Sequence, residues 1–258
     1  MWIREVFGMP IIILLLAALA VGPPILQHYF GLFDRGNLFH YGLRTVTQDP
    51  ESLLRGKRIL VLGSSVTMGM SAYGLSFVDY LNRKTGCRMV KDAVLASTLA
   101  DRPPLSYVTR IRRHNKTTDD VDCFLCQLST NDAVYHADLG RVGASRDPEK
   151  FALDTSVGGI EYIIDYVRRE WNCPIIFYTG TKFDNPRYQK LVNMLLTLAD
   201  KWDVQVIDLW HDEEMNAVTP EEYKLYMHDG VHPTRAGYRD WWGPRIEQEL
   251  IRLLAPKA

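Results

Sequence analysis

From Lys57 onward, short apolar runs alternate with longer stretches in which apolar residues recur every three or four positions. Lys57–Leu62 (KRILVL) is a run of this kind bounded by glycine, as a strand buried on both faces requires. Cys87–Val94, Asp122–Leu128, Pro174–Thr179 and Val204–Leu209 repeat the pattern, predicting five strands. Between them the spacing turns helical. Leu75, Val78 and Leu81 predict a helix over Ser71–Arg83, and Pro104–Arg113 predicts a second, with its prolines tolerated at the start. Ile160, Ile163, Ile164 and Val167 give an amphipathic stripe over Gly158–Trp171. Asn185–Trp202 and Arg235–Leu254 complete the helical set. Strands alternating with helices imply βαβ units, hence a parallel sheet covered on both faces. In such sheets ligands gather beyond the carboxyl ends of the strands, so the segments after Leu62, Val94, Leu128 and Leu209 are expected at one edge.

The first thirty residues follow a different rule. Phe7 through Leu26 carries no charge and is about long enough to cross a ~30 Å hydrocarbon layer. Its densest part, Ile11–Val21, is nearer signal-peptide length, and Ala18-Leu19-Ala20 resembles a cleavage site. An uncleaved membrane anchor, a cleaved signal and a buried helix all remain open for residues 1–30. The first two place the rest of the chain outside the cytoplasm. Residues 31–56 show no periodicity and are expected to connect this segment to one domain spanning 57–258.

Composition removes some classes. A net charge of −1 gives no electrostatic case for nucleic acid. The one basic cluster, Arg110 to Lys116, is expected to be a solvated helix end. Cys123 and Cys126, three apart in a strand, would lie on opposite faces as buried free thiols. No second ligand pair at zinc spacing accompanies them. His228 and His232 stand at a metal-ligand spacing for a helix, but Gly230 and Pro233 argue against helix there. Neither a metal nor an organic cofactor is expected, and oligomeric state is left open.

The chemistry-bearing residues lie at the predicted strand ends. Ser65 sits in Gly63-Ser64-Ser65-Val66-Thr67-Met68-Gly69, three residues beyond the first strand. A phosphate loop would need Lys after the second glycine, where Met70 stands. The Gly-x-Ser-x-Gly elbow is also missing, since position 67 is Thr. Far downstream, Asp229-Gly230-Val231-His232-Pro233 offers an acid and an imidazole three residues apart. A serine hydroxyl needs a base for its proton and a third group to hold that base, and the chain supplies all three in the order Ser, Asp, His. Asn131, after the third strand, could donate to an oxyanion, and so could the backbone N–H of Ala96. The Ala133–Thr155 segment, with Tyr135, His136, Arg141 and Arg146, is long enough to shape a pocket or to be a surface loop. Tyr238, Trp241 and Trp242 are expected to face the core.

Together these segments resemble four blocks of the SGNH, or GDSL-type, esterases and acylhydrolases, matched in order across about residues 57–254. The resemblance implies a three-layer α/β/α, flavodoxin-like fold. It implies Ser65 as nucleophile with Asp229 and His232 completing a triad, and Ser65 N–H, Ala96 N–H and the Asn131 amide as the oxyanion hole. Three positions depart from the family pattern. Ser64 replaces the Asp of Gly-Asp-Ser, Ala96 replaces a Gly, and Ser129 stands where many members have Gly. The implied activity is ester hydrolysis through an acyl-enzyme on envelope glycan or lipid esters. An O-acyltransferase with the same triad, or a silent glycan- or lipid-binding module, are the alternatives.

Overall fold

A computed structural model describes residues 22–117 and 120–254. Five parallel strands form one sheet in the order β2-β1-β3-β4-β5. They are β1 Arg58–Gly63, β2 Arg88–Ala93, β3 Cys123–Gln127, β4 Ile175–Tyr178 and β5 Gln205–Ile207. β1 is an inner strand: Leu60 pairs with Val90 on one side and with Phe124 on the other. The chain leaves β1 towards β2, then returns to build outward from β3. That reversal leaves a crevice beyond the carboxyl end of β1, where open α/β sheets hold their ligands. Ser65 lies there.

Alternation along the inner strands explains the three layers. Leu60, Leu62, Phe124 and Cys126 face one core, with Ile160, Ile163, Leu191 and Leu195 from the helices Ser156–Glu170 (α5) and Pro186–Trp202 (α6). Ile59, Val61, Cys123 and Leu125 face the other, beneath Phe77 and Leu81 of the helix Phe77–Thr85 (α2) and Ile246 and Leu250 of the helix Gly243–Leu254 (α8). The two cysteines thus enter opposite cores. All four cysteines are free thiols. Burial pushes Cys173 up to about 11 and Cys123 and Cys126 higher still.

Two predicted helices shift for identifiable reasons. The helix expected from Ser71 starts at Phe77, because Tyr73 and Gly74 take left-handed conformations. A capping box between Ser76 and Asp79 then sets the true start. The helix expected from Arg235 begins as a π-helical segment, Gly237–Trp242, which buries Tyr238, Trp241 and Trp242. The helix Pro220–Tyr226 (α7) was not anticipated.

The hydrophobic segment expected to anchor the chain falls mostly among residues 1–21, outside the described residues. Among the described residues no helix is long and apolar enough to cross a membrane. Residues 22–30 are helical. The stretch after them forms three 3-10 turns, Arg35–Asn37, Phe39–Tyr41 and Leu43–Thr45. It packs on the domain: buried Asn37 donates to the Ser71 carbonyl at 2.7 Å and accepts from Arg235 N–H at 2.9 Å.

Candidate active site

β1 ends at Gly63, and the chain turns at once into the short helix Ser65–Met68 (α1). The turn is tight because a Cβ on Gly63 would lie 1.6 Å from Thr67 Oγ1. Gln127, at the end of β3, holds it from below. Its Oε1 accepts from Ser64 N–H at 2.9 Å and from the Thr67 hydroxyl at 2.6 Å. A neutral amide therefore ties down the loop in which the family has an aspartate. Nothing in the sequence flagged Gln127 except that it is the one polar side chain in an otherwise apolar strand.

The acid–histidine segment is a closed loop. An antiparallel bridge joins Met227 and Pro233 at its neck, and His228 N–H donates to the His232 carbonyl at 2.9 Å. Within it, His232 Nε2 lies 2.8 Å from Ser65 Oγ and Nδ1 lies 2.8 Å from Asp229 Oδ2. A carboxylate only accepts, so Nδ1 carries the proton and Nε2 is left to accept from the serine hydroxyl. Asp229 Oδ1 also accepts from the N–H groups of Val231 and His232, both at 2.7 Å. Tyr238 OH donates to the Val66 carbonyl at 2.6 Å, locking the α1 turn to the C-terminal segment.

Burial opposes ionisation of Asp229, but the His232 ring and the two backbone donors outweigh it and hold the carboxyl down to about 2. The folded value lies below the roughly 3.9 of an unfolded aspartate, so ionised Asp229 stabilises the fold above about pH 4. That contribution is lost as pH falls towards 2. Asp229→Asn is expected to flatten this acid limb in urea titrations. It should also lower kcat/KM about 10²–10³-fold, less than for a fully buried triad acid, since nearly half the side chain is exposed.

The loop after β2 supplies the other half. Ala96 has φ +59°, a left-handed conformation in which glycine is at ease and alanine strained. Ala96→Gly relieves roughly 1–2 kcal/mol of that strain against about 0.5–1 kcal/mol of added chain entropy. Its expected effect on chemical denaturation is therefore neutral to slightly stabilising, and a clear loss of stability would contradict the conformation. Asn131 opens the helix Asn131–Val134 (α4) and donates one amide hydrogen to the Ser97 carbonyl at 2.9 Å. Its second hydrogen remains for a ligand. Ser129 joins the same carbonyl at 3.0 Å. Buried Asp132 accepts from Leu99 N–H at 2.8 Å, Ala100 N–H at 3.0 Å and the Ser156 hydroxyl at 2.8 Å. The Ala96 and Asn131 segments are thus cross-linked.

The basic cluster needs correction. Arg110, on the helix Tyr107–Ile111 (α3), is only 1% exposed. Its guanidinium donates to the Gly63 carbonyl at 2.7 Å, to Ser97 Oγ at 3.2 Å and to the Asp92 carbonyl at 2.9 Å, and it pairs with the Asp92 carboxylate. It is bent inward because the Gly63, Asp92 and Leu105 carbonyls and the Asp92 carboxylate converge there. Arg113 remains a surface residue, donating to the Pro104 carbonyl at 3.3 Å.

The other candidates separate. His228 and His232 do not converge: His228 Nδ1 faces Asp34 Oδ2 at 2.7 Å. No cluster of metal-ligating side chains occurs among the described residues. Tyr135 is exposed just after the Asn131 turn, as is His136, whereas Arg146 stacks over Trp202 at 5.4 Å.

This chain belongs to the GDSL-like lipase/acylhydrolase family, whose model matches residues 61–239. It is by class a carboxylic ester hydrolase. No curated protein matches it at a significant level. Among solved structures, it is similar to a protein from Lactobacillus plantarum at 20% identity and TM-score 0.64, covering 77% of this chain and 97% of that one. The aryl esterase of M. smegmatis is similar at 18% identity and TM-score 0.54, covering 77% and 100%. A carbohydrate acetylesterase family member from Sinorhizobium meliloti is similar at 17% identity and TM-score 0.55, covering 78% and 100%. At these identities the likenesses establish the fold.

Proposed function

We propose that the protein hydrolyses short-acyl esters through Ser65, His232 and Asp229, and that residues 1–30 attach it to the outer side of a membrane. The carrying observation is the unbroken hydrogen-bonded chain from Ser65 Oγ through His232 to Asp229. Ser65 Oγ attacks the ester carbonyl carbon while His232 Nε2 takes its proton. The tetrahedral oxyanion lies against Ser65 N–H, Ala96 N–H and the free Asn131 amide hydrogen. As it collapses, the carbonyl–alkoxy bond breaks and His232 returns the proton to the leaving alcohol. Water then attacks the acyl-enzyme with His232 again as base, restoring Ser65 and releasing the acid. Asp229 holds the imidazole tautomer throughout.

The short acyl preference rests on a small cavity. It is lined by Val66, Thr130, Gly230 and Val231, the neighbours of Ser65, Asn131 and His232, and closed by Phe183 and Trp242. Its volume is about 10 Å³. That is room for roughly one water-sized group beside the nucleophile turn, which supports a small acyl group over a long one. Acetylated envelope glycans or acetylated lipids would suit both this cavity and a membrane-attached enzyme. The likeness to a carbohydrate acetylesterase family member agrees with the first. A panel of acetyl, butyryl and octanoyl p-nitrophenyl esters tests it. Acetyl is expected to exceed butyryl at least about tenfold in kcat/KM, since each misfit methylene costs about 1–3 kcal/mol. Equal or greater turnover of octanoyl ester would refute the short-acyl reading.

A further inference from the structure

Half of the large apolar side chains left uncovered among the described residues fall in one short segment, residues 25–39, and the rest are scattered over the chain. Ile25, Leu26, Tyr29, Phe30, Phe33 and Phe39 are all exposed, Phe33 at 66% and Phe39 at 76%. Monomeric folds rarely leave such clusters bare without a binding use. Between residues 7 and 33 the sequence contains no Asp, Glu, Lys or Arg. The exposed group is therefore the chain's direct continuation of the uncharged N-terminal stretch. Its content of Ile, Leu and Phe with one Tyr is that of the apolar face of a segment lying in a membrane–water interface.

This segment is also fastened to the catalytic loops from both sides. On the His232 side, His228, next to Asp229, has Nδ1 on Asp34 Oδ2 at 2.7 Å and Nε2 on the His28 carbonyl at 3.0 Å. Gly36 lies so close that an added Cβ would fall 2.0 Å from the Leu225 carbonyl and 2.2 Å from Thr234 Oγ1. On the Ser65 side, Asn37 bonds the Ser71 carbonyl and Tyr73 OH bonds the Leu32 carbonyl. Whatever surface receives Phe33 and Phe39 is therefore held at a fixed distance from the nucleophile.

We infer that residues 22–39 form an interfacial foot that rests in the headgroup region of a lipid bilayer and holds the Ser65–His232 mouth at the membrane surface. The esters taken are then those carried at that surface. The inference rests on the membrane attachment proposed above and adds to it a second contact and an orientation. A second copy of the chain is the competing occupant. It is disfavoured because the foot is continuous with a stretch that itself calls for lipid.

Full-length protein is reconstituted into phosphatidylcholine–phosphatidylglycerol vesicles in a Cys173→Ser background, the other three thiols being buried. A fluorophore is placed at Phe33→Cys, at Phe39→Cys, and at Asp200→Cys on the exposed end of α6. Labels at 33 and 39 are expected to be quenched by doxyl lipid and shielded from iodide, and the label at 200 the reverse. The double variant Phe33→Ser/Phe39→Ser should lose about tenfold in kcat/KM on a vesicle-embedded acetyl ester, while soluble p-nitrophenyl acetate turnover stays unchanged. Iodide access at 33 and 39 equal to that at 200, in protein that still floats with vesicles, overturns the foot and leaves the attachment standing. Protein that fails to float overturns both. Concentration-dependent shielding of position 33 from iodide without lipid assigns the patch to a second copy and also overturns the inference.

Discussion

Ser65→Ala is expected to lower ester turnover by at least about 10⁴-fold while leaving the thermal midpoint essentially unchanged. The two halves of that expectation come from different features. The hydroxyl is the group within 2.8 Å of His232 Nε2, and with it gone His232 has no nucleophile to activate. Residual catalysis could come only from the oxyanion donors and bound water. Stability is spared because the hydroxyl's partner is a partly exposed ring nitrogen that water at the mouth can satisfy. Alanine also suits the first turn of α1 at least as well as serine. Comparing turnover of p-nitrophenyl acetate with a melting curve of the same preparation decides the matter. Wild-type activity in a folded variant would remove Ser65 from the mechanism.

Arg110→Leu is expected to destabilise the fold by about 3–5 kcal/mol, the range for removing one partner of a buried charge network. The Gly63 and Asp92 carbonyls and Ser97 Oγ would lose a donor inside a site leucine cannot rehydrate. Asp92 would keep His114 at 3.0 Å. In wild type, burial works against its ionisation while His114 and Arg110 together lower its pKa, so the Arg110 share of that compensation goes. Arg110→Lys should fall between, because one ammonium cannot reach acceptors arranged for a planar fork. Gly63 precedes the nucleophile turn and Ser97 follows Ala96. The lysine variant should therefore also lose kcat at temperatures where it is fully folded. An unfolding free energy from urea titration within about 0.5 kcal/mol of wild type for Arg110→Leu would contradict the buried network.

The strand rhythm was legible because β1 and β3 alternate faces between two cores, which leaves apolar residues everywhere but at Arg58 and Gln127, where the strands begin and end. Boundaries moved by one or two residues where the last apolar side chain lies beyond the ladder, as at Leu128 and Leu209. The start of α2 was not legible from leucine spacing, because that pattern runs straight through Tyr73 and Gly74, whose backbone forbids helix. The missed α7 did carry a signal: Thr219, Pro220 and Glu222 make a capping box with proline at the first helical position. Arg110 and Gln127 belong to another kind of miss. A charge inside a basic run reads as solvated, and a lone amide inside a predicted strand carries no signal of its partners. Both reach the end of β1 from more than forty residues away, Arg110 at Gly63 and Gln127 at Ser64 and Thr67, and only the folded arrangement shows it. Ala96 is intermediate, since its departure from glycine was visible in the sequence but its left-handed backbone was not.

The central claim is that Ser65 is an activated nucleophile. Incubation of the folded, full-length protein with a fluorophosphonate, followed by peptide mass spectrometry, measures this directly. One phosphonyl adduct on Ser65 is expected, forming with loss of activity in step with labelling and strongly slowed in Asp229→Asn. Modification of a different residue, or loss of activity with Ser65 unmodified, would contradict the account.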